Sequence, residues 1–347
     1  MPSAPYWLGP AVHPVYARLV YAELLRQGLT ATQLQTNSPL DWQRLLHDKH
    51  FLNLNQLHTL LLQAIAVSGQ PWLGFAVGMH TDVSAHGPAG YAAVTASTLQ
   101  EGILLSERYA SLRQHLARFR LESVEPPVLV LDELKVPDTL REYLLGHFVT
   151  GMLRLLETLG GQPLQQLIRI DWPLARPDWW AEVQDYAAHW CFASDALRIH
   201  LPQGLLQQPC LGADADACAQ ALRDCEHQLE RQQRGGSLSE RIKLRLLRCE
   251  PPYPTLAALA AQENLSARTL IRHLHSEGTR YQTLLDDLRS EQATWLLLHS
   301  ELSMERIAER LGYQDTSNFS RTFRRWHGCT PRDYRLRHPP QPAPTNG

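Results

Sequence analysis

The pattern that most constrains this chain is a repeat near its C-terminus. The stretches Leu256–Leu274 and Met304–Phe323 follow one plan, with Leu270 matching Phe319, Arg272 matching Arg321 and Leu274 matching Phe323 about 49 residues apart. In each, a short helix with Ala in its packing face (Leu259 and Ala260; Ile307 and Ala308) leads to a tight turn. A polar cap follows, Ser266 in one and the Asp315-Thr316-Ser317 cluster in the other, whose side-chain oxygens accept the free N–H groups of a helix start. The second helix carries apolar residues four apart: Leu270 and Leu274 in the first unit, Phe319 and Phe323 and then Trp326 in the second. The opposite face is left to Arg268, Thr269, Arg272 and His275 in the first unit, and to Ser317, Asn318, Arg321, Arg324 and Arg325 in the second. A helix buried on one side and bearing Arg, Asn, Ser and Thr on the other suits a DNA major groove. Between the units, Thr279 to His299 reads as one helix. About 20 residues at ~1.5 Å each span ~30 Å, close to the ~34 Å between successive major grooves on one DNA face.

The second unit runs from Ile307-Ala-Glu-Arg-Leu-Gly-Tyr through Phe319-Ser-Arg-Thr-Phe-Arg-Arg-Trp-His-Gly to Thr330-Pro-Arg-Asp-Tyr-Arg. It resembles the signature of the AraC/XylS family of bacterial transcription regulators nearly throughout, and the first unit resembles it less tightly. The resemblance implies an all-α DNA-binding domain over 237–338, with tandem helix-turn-helix units at about 254–278 and 303–328 joined by a long helix. It implies base reading by Asn318 and Arg321, with Arg268 and Arg272 as candidate readers in the first unit. His275, Ser317, Arg324 and Arg325 are expected on phosphates, which position a protein without specifying sequence. Thr269 shares the reading face. Promoter DNA, a small effector and RNA polymerase are the implied partners, with activation the usual outcome.

Charge agrees with that division. Residues 237–338 hold 16 Lys+Arg against 12 Asp+Glu, and the rest of the chain holds 17 against 23. The C-terminal part is mildly basic, which favours nucleic acid. No run approaches the ~20 consecutive apolar residues of a membrane span, and the N-terminus lacks a signal peptide's basic and apolar regions, so a cytoplasmic protein is the default expectation. The six cysteines form no CxxC pair, and no metal or other cofactor is expected. An oxidation sensor on Cys218 and Cys225 has nothing in the pattern to support it.

Upstream, residues 1–14, with prolines at 2, 5, 10 and 14, read as a loose lead-in. Residues 15–234 form an α+β, mostly helical regulatory domain. Helices are expected at Val15–Gly28, Leu54–Ser68, Asp138–Leu159 and Ala213–Arg234, and strands at Arg120–Val124, Val128–Leu134, Leu167–Trp172 and Leu197–Leu201. Trp72 to Val77 reads as a buried turn or strand, and Pro177 opens a helix carrying Trp179, Trp180, Val183, Tyr186 and Trp190. The helix from Ala213 either packs on its own domain or joins a homodimer. Gly235-Gly236 marks the boundary, Ser237-Leu-Ser-Glu240 is a capping box, and residues 339–347 form a disordered tail.

The stretch from Gly87-Pro-Ala-Gly-Tyr91 to Leu112 resembles the arabinose-binding-type sensor domain of one branch of the same family. That implies an effector site without naming its ligand. Tyr91, Arg108 and Tyr109 are candidate anion binders. The tryptophans at 42, 72, 172, 179, 180 and 190 either line an apolar pocket or fill the core. The aromatic content leans toward a hydrophobic or amino-acid-derived effector. The resulting expectation is an effector-controlled, sequence-specific DNA-binding regulator, not an enzyme. The competing readings are a ligand-independent architectural protein and, behind it, a DNA-repair enzyme fusion that would need a reactive thiol or a metal.

Overall fold

A computed structural model describes residues 7–35, 42–47, 50–134, 136–233 and 236–337. The chain divides into two compact units, Pro10–Glu230 and Arg231–Gly347, the latter joined by the segment that ends at Gly9. The division falls inside the helix Ala215–Gln233, and Gly235 lies outside the described residues, as does the tail from His338.

The Pro10–Glu230 unit is mostly helical around one sheet. A short pair, β1 (Pro10–Val12) and β2 (Leu52–Asn53), runs antiparallel. The main sheet is built from β3 (Ala117–Val124), β4 (Pro127–Leu134), β5 (Arg169–Asp171), β6 (His189–Cys191) and β7 (Leu197–His200), in the order β3-β4-β7-β5-β6. All pairings are antiparallel except β5 with β6. In β4, Leu129 and Leu131 enter the hydrophobic core, whereas Val128 and Val130 lie on the other face, covered by the charged side chains of neighbouring strands such as Arg120 and Arg198. Register sets Arg120 opposite Val130, and the Arg120 guanidinium reaches the Asp132 carboxylate on the same sheet face.

Helices cover the sheet's apolar face, which holds Leu129, Leu131, Ile170, Leu197 and Ile199. Leu54–Ser68 opens with a capping box between Asn53 and Gln56. The helix Asp138–Gly160 buries an apolar face from Leu140 to Leu159 and ends at Gly161, φ +70°, in the left-handed conformation that terminates helices. Leu99–Arg108 starts at Thr98, whose hydroxyl accepts the Glu101 N–H.

Three expectations are corrected. Trp72–Val77 is not a strand: Leu73–Met79 is a helix packed on Asp138–Gly160, and that packing overrides the low helix propensity of its glycines. The expected helix after Pro177 is instead two short 3-10 turns, Trp180–Glu182 and Gln184–Tyr186, followed by β6. Its aromatics do not form a helical stripe; Trp172, Trp180, Trp190 and Phe192 interlock edge to face. The lead-in is not loose where it is described: Trp7 is 1% exposed, Leu8 3%, and Pro10 begins β1, a first-strand position that tolerates proline.

Among its described residues the C-terminal unit holds helices and no strand: Leu238–Leu247, Leu256–Gln262, Ala267–Ser276, Tyr281–His299, Met304–Arg310, Thr316–His327 and Pro331–Arg337. Ser237 and Glu240 form the expected capping box. Trp7 stacks on His299 with ring centroids 4.7 Å apart, beside Trp295. Among the described residues no single helix is long and apolar enough to cross a membrane.

Candidate nucleic-acid interface

Two helix pairs repeat the same local construction. In the first, Leu256–Gln262 and Ala267–Ser276 are joined by a turn in which Asn264 has φ +55° and the Leu265 N–H donates to the Ala260 carbonyl at 2.8 Å. In the second, Met304–Arg310 and Thr316–His327 are joined through Gly312, φ +77°, and the Tyr313 N–H donates to the Ala308 carbonyl at 2.9 Å. Each helix of both pairs has its own N-cap: Thr255, Ser266, Ser303 and Asp315 accept the N–H of the third helical residue. The turn of the second pair holds one residue more before its cap, which accounts for the change in repeat offset across it.

The second helix of each pair is strongly two-sided. Leu270 and Leu274 are buried in one, Phe319 and Phe323 in the other. Phe323 packs against Phe319, His327 and Tyr334. Trp326, expected in that core, is only half-buried; one turn beyond Phe323, the contact with Tyr334 is taken by His327 instead.

On the opposite side Arg268, Arg272, His275, Ser317, Asn318, Arg321, Arg324 and Arg325 are all exposed. Thr269 is half-buried, and its hydroxyl is engaged with the Ser266 cap at 2.9 Å. Arg325 reaches Asp286 at 3.4 Å. Arg268, Arg272, Arg321 and Arg324 make no ion pair within 4 Å among the described residues, although the Arg324 charge reaches the Asp333 carboxylate. Ile271, 54% exposed between Arg268 and Arg272, escaped the sequence reading. Its signal was available: a large β-branched residue off the Leu270–Leu274 stripe has no core to enter.

Behind these faces the unit is tied together by charge. The Arg289 guanidinium lies over both Tyr253 and Tyr313, 5.2 Å from each ring, and its Nε donates to the Leu311 carbonyl at 3.1 Å. The Glu277 carboxylate accepts the Leu238 and Ser239 N–H groups at a helix N-terminus, which holds its pKa below the usual carboxylate range even though burial acts the other way. Arg241 and Arg245 both reach the buried Glu263 at 2.9 Å. The helix Tyr281–His299 has 19 residues, about 28 Å at ~1.5 Å per residue.

The other unit holds a cavity of about 180 Å³ walled by the helices Val15–Arg26, Leu54–Ser68 and Asp138–Gly160 and by β3 and β4. Of the candidate anion binders, Tyr109 lines it, whereas Tyr91 is 54% exposed outside it. Arg108 and the Tyr109 hydroxyl both engage Glu226, the former at 2.6 Å. None of the six tryptophans lines this cavity; Trp42, Trp172 and Trp180 are buried packing residues. Cys218 and Cys225 are buried, and burial pushes the Cys225 thiol up to about 11, the reverse of an activated thiolate. Their helix, Ala215–Gln233, packs Cys218, Ala221, Cys225, Leu222 and Leu229 into its own unit's core.

Burial pushes His86 and His147, both at the cavity, down to about 4. Folded, they bind fewer protons than the unfolded chain between pH 4 and the ordinary histidine value near 6.5, so stability rises with pH across that window. Thermal unfolding followed from pH 7 to pH 4 is expected to show a falling melting temperature over that range. His147→Gln should flatten part of the slope.

Comparison with known proteins agrees with both units. The model described as the arabinose-binding domain of AraC transcription regulator, N-terminal, matches residues 28–210. A helix-turn-helix domain model matches residues 259–337. The ornithine utilization regulator of Pseudomonas aeruginosa is 32% identical over 303 residues, covering 82% of this chain and 84% of that protein. The transcriptional regulator VqsM of the same species is 38% identical over 100 residues, 29% of this chain and 31% of that one. The crystal structure of the regulator CdpR from Pseudomonas aeruginosa, 27% identical, covers 92% of this chain and 97% of that chain at a TM-score of 0.44. The chain belongs to the AraC family of DNA-binding transcription regulators, with an arabinose-binding-type domain ahead of a helix-turn-helix domain.

Proposed function

We propose that the two helix pairs are tandem helix-turn-helix units that read promoter DNA, and that a small effector held in the N-terminal unit controls that reading. The observation that carries it is the matched pair of capped helices, each anchored by a buried apolar stripe and each presenting unpaired arginines outward. Arg321 and Asn318 read base edges in one groove, Arg272 and Arg268 in the other, and Ile271 supplies an apolar contact of the kind a thymine methyl accepts. His275, Ser317, Arg324 and Arg325 hold phosphates, with Thr269 fixed in the helix cap. The family resemblance adds activation as the direction of control, with RNA polymerase as partner.

The test is fluorescence anisotropy of the full-length protein on DNA upstream of its gene, with unrelated DNA as competitor. Arg321→Ala is expected to cost about 1–3 kcal/mol and relax one base position, whereas Arg324→Ala should weaken all sequences alike and lower the salt slope by about 1. Equal, steeply salt-dependent binding to every DNA, unchanged in kind by Arg321→Ala, would leave only phosphate contact and sink the reading.

A further inference from the structure

We infer that the cavity of the N-terminal unit is a binding site for a small monocarboxylate with a compact apolar body, and that Arg113 is the residue that takes the carboxylate. The inference rests on the effector-controlled reading above and gives that effector a chemical class.

Apart from histidines, Arg113 is the only ionisable side chain of formal charge among the lining residues. The histidines do not share its role, since His86 and His147 are kept neutral by burial, and the Arg113 charge itself adds to the effect on His86. Of the neutral polar groups at the cavity, His147 Nδ1 is buried without a hydrogen-bond partner among the described residues and could add a hydrogen bond, but others are spent. Gln114 accepts the Leu116 and Ala117 N–H groups and donates to the Ala117 carbonyl, all at 2.8 Å. The Thr81 hydroxyl donates to the Val77 carbonyl and the Ser106 hydroxyl to the Gly102 carbonyl.

The Arg113 guanidinium has no ion pair among the described residues. Its buried Nε has no hydrogen-bond acceptor among the described residues. The groups whose charge reaches it are Tyr16, Cys225 and a second cation, Arg18, with no carboxylate among them. Glu226, the acid bound by Tyr109, is taken by Arg108 and that hydroxyl. Arg113 is half-buried, with its Nε shut off from water, and burial lowers its pKa, as expected of a cation that lacks a nearby carboxylate. Chains rarely retain such a charge unless something pairs with it.

The position is built rather than accidental. The guanidinium lies where a side chain on residue 87 would be, since a Cβ there would stand 1.6 Å from Nη2, and Gly87 has φ +59°. Gly87 thus leaves room for the Arg113 guanidinium beside the wall formed by His86 and Ala89. The volume sets the size of the body. A cavity of about 150 Å³ holds a benzene ring, so about 180 Å³ takes roughly five to seven apolar carbons beside the carboxylate.

Isothermal titration of the full-length protein with hexanoate, benzoate, hexan-1-ol and hexylammonium tests this. At least one carboxylate is expected to bind roughly tenfold or more tightly than the alcohol, with no binding of the ammonium; hexanoate against benzoate then separates an aliphatic from an aryl body. Arg113→Met should abolish the preference for acid over alcohol, and Arg113→Lys should keep part of it. Because Arg113→Met removes an uncompensated charge, its ligand-free melting temperature should be equal or higher; a purely structural arginine would lower it. Equal affinity for acid and alcohol, binding of the ammonium, or no binding of either carboxylate at millimolar concentration would overturn the inference. Carboxylate binding that leaves promoter anisotropy unchanged would keep the site and remove its regulatory role. Intact promoter reading without carboxylate binding would remove the site alone.

Discussion

Phe323→Ala is expected to unfold or loosen the C-terminal unit and to abolish DNA binding, although Phe323 itself faces away from any ligand. Its side chain is 0% exposed and packs against Phe319, His327 and Tyr334, so it joins the helix Thr316–His327 to the closing helix Pro331–Arg337. Truncating a buried Phe to Ala costs about 3–5 kcal/mol, a large share of the ~5–15 kcal/mol that holds a domain folded. For a unit of this size that corresponds to a loss of more than about 10 °C in melting temperature. The arginines at 321, 324 and 325 are carried by the same helix, so their spacing is lost with its seat. Arg321→Ala differs in kind: it should keep the melting temperature and lose one base contact. Denaturation and anisotropy on the two variants together separate seat from reader. A Phe323→Ala protein with wild-type stability and promoter affinity would remove the aromatic seat from the account.

Where the chemistry is local, the sequence was readable. Ser237, Ser266 and Asp315 act as caps because each needs only a backbone N–H three residues away, and Leu54–Ser68 stands as its apolar spacing indicated. The candidate readers lie on an exposed face because Leu270, Leu274, Phe319 and Phe323 leave no alternative at helical period. What depends on distant partners was not readable. Arg108 looked like an anion binder, and its carboxylate partner lies 118 residues on, at Glu226. Arg113, five residues later, carries no local mark, and its significance comes from walls contributed between Val12 and Leu155. The tryptophans after Pro177 looked helical because apolar density was read without knowing that β6 pairs with β5 and draws Trp190 into the sheet.

Gly74→Val is expected to disrupt the N-terminal unit as severely as Phe323→Ala disrupts the other. The helix Leu73–Met79 crosses Asp138–Gly160 so closely that a Cβ on Gly74 would stand 2.1 Å from the Tyr143 carbonyl oxygen. That oxygen belongs to a helix backbone and has no rotamer by which to retreat. The helices would have to separate, opening the contacts of Phe75 and of Leu145, Val149 and Leu153 in the core. Overpacking in cores costs about 1–3 kcal/mol where side chains can adjust; against fixed backbone the expected cost is above about 3 kcal/mol. The cavity should be lost as well, because Asp138–Gly160 supplies Tyr143, His147 and Phe148 to its wall. Gly151→Ala on the same long helix is the control: its Cβ would meet only the Gly78 carbonyl oxygen at 3.9 Å, and Gly to Ala inside a helix gains about 0.8–1 kcal/mol. Full-length Gly74→Val should therefore lose hexanoate or benzoate binding while the C-terminal unit, whose core shares none of these residues, still binds promoter DNA. Its DNA affinity should then no longer respond to any added carboxylate. If carboxylates still shifted promoter affinity in a variant whose N-terminal unit had melted, the effector would be acting through the C-terminal unit, and the division of labour between the two would have to be redrawn.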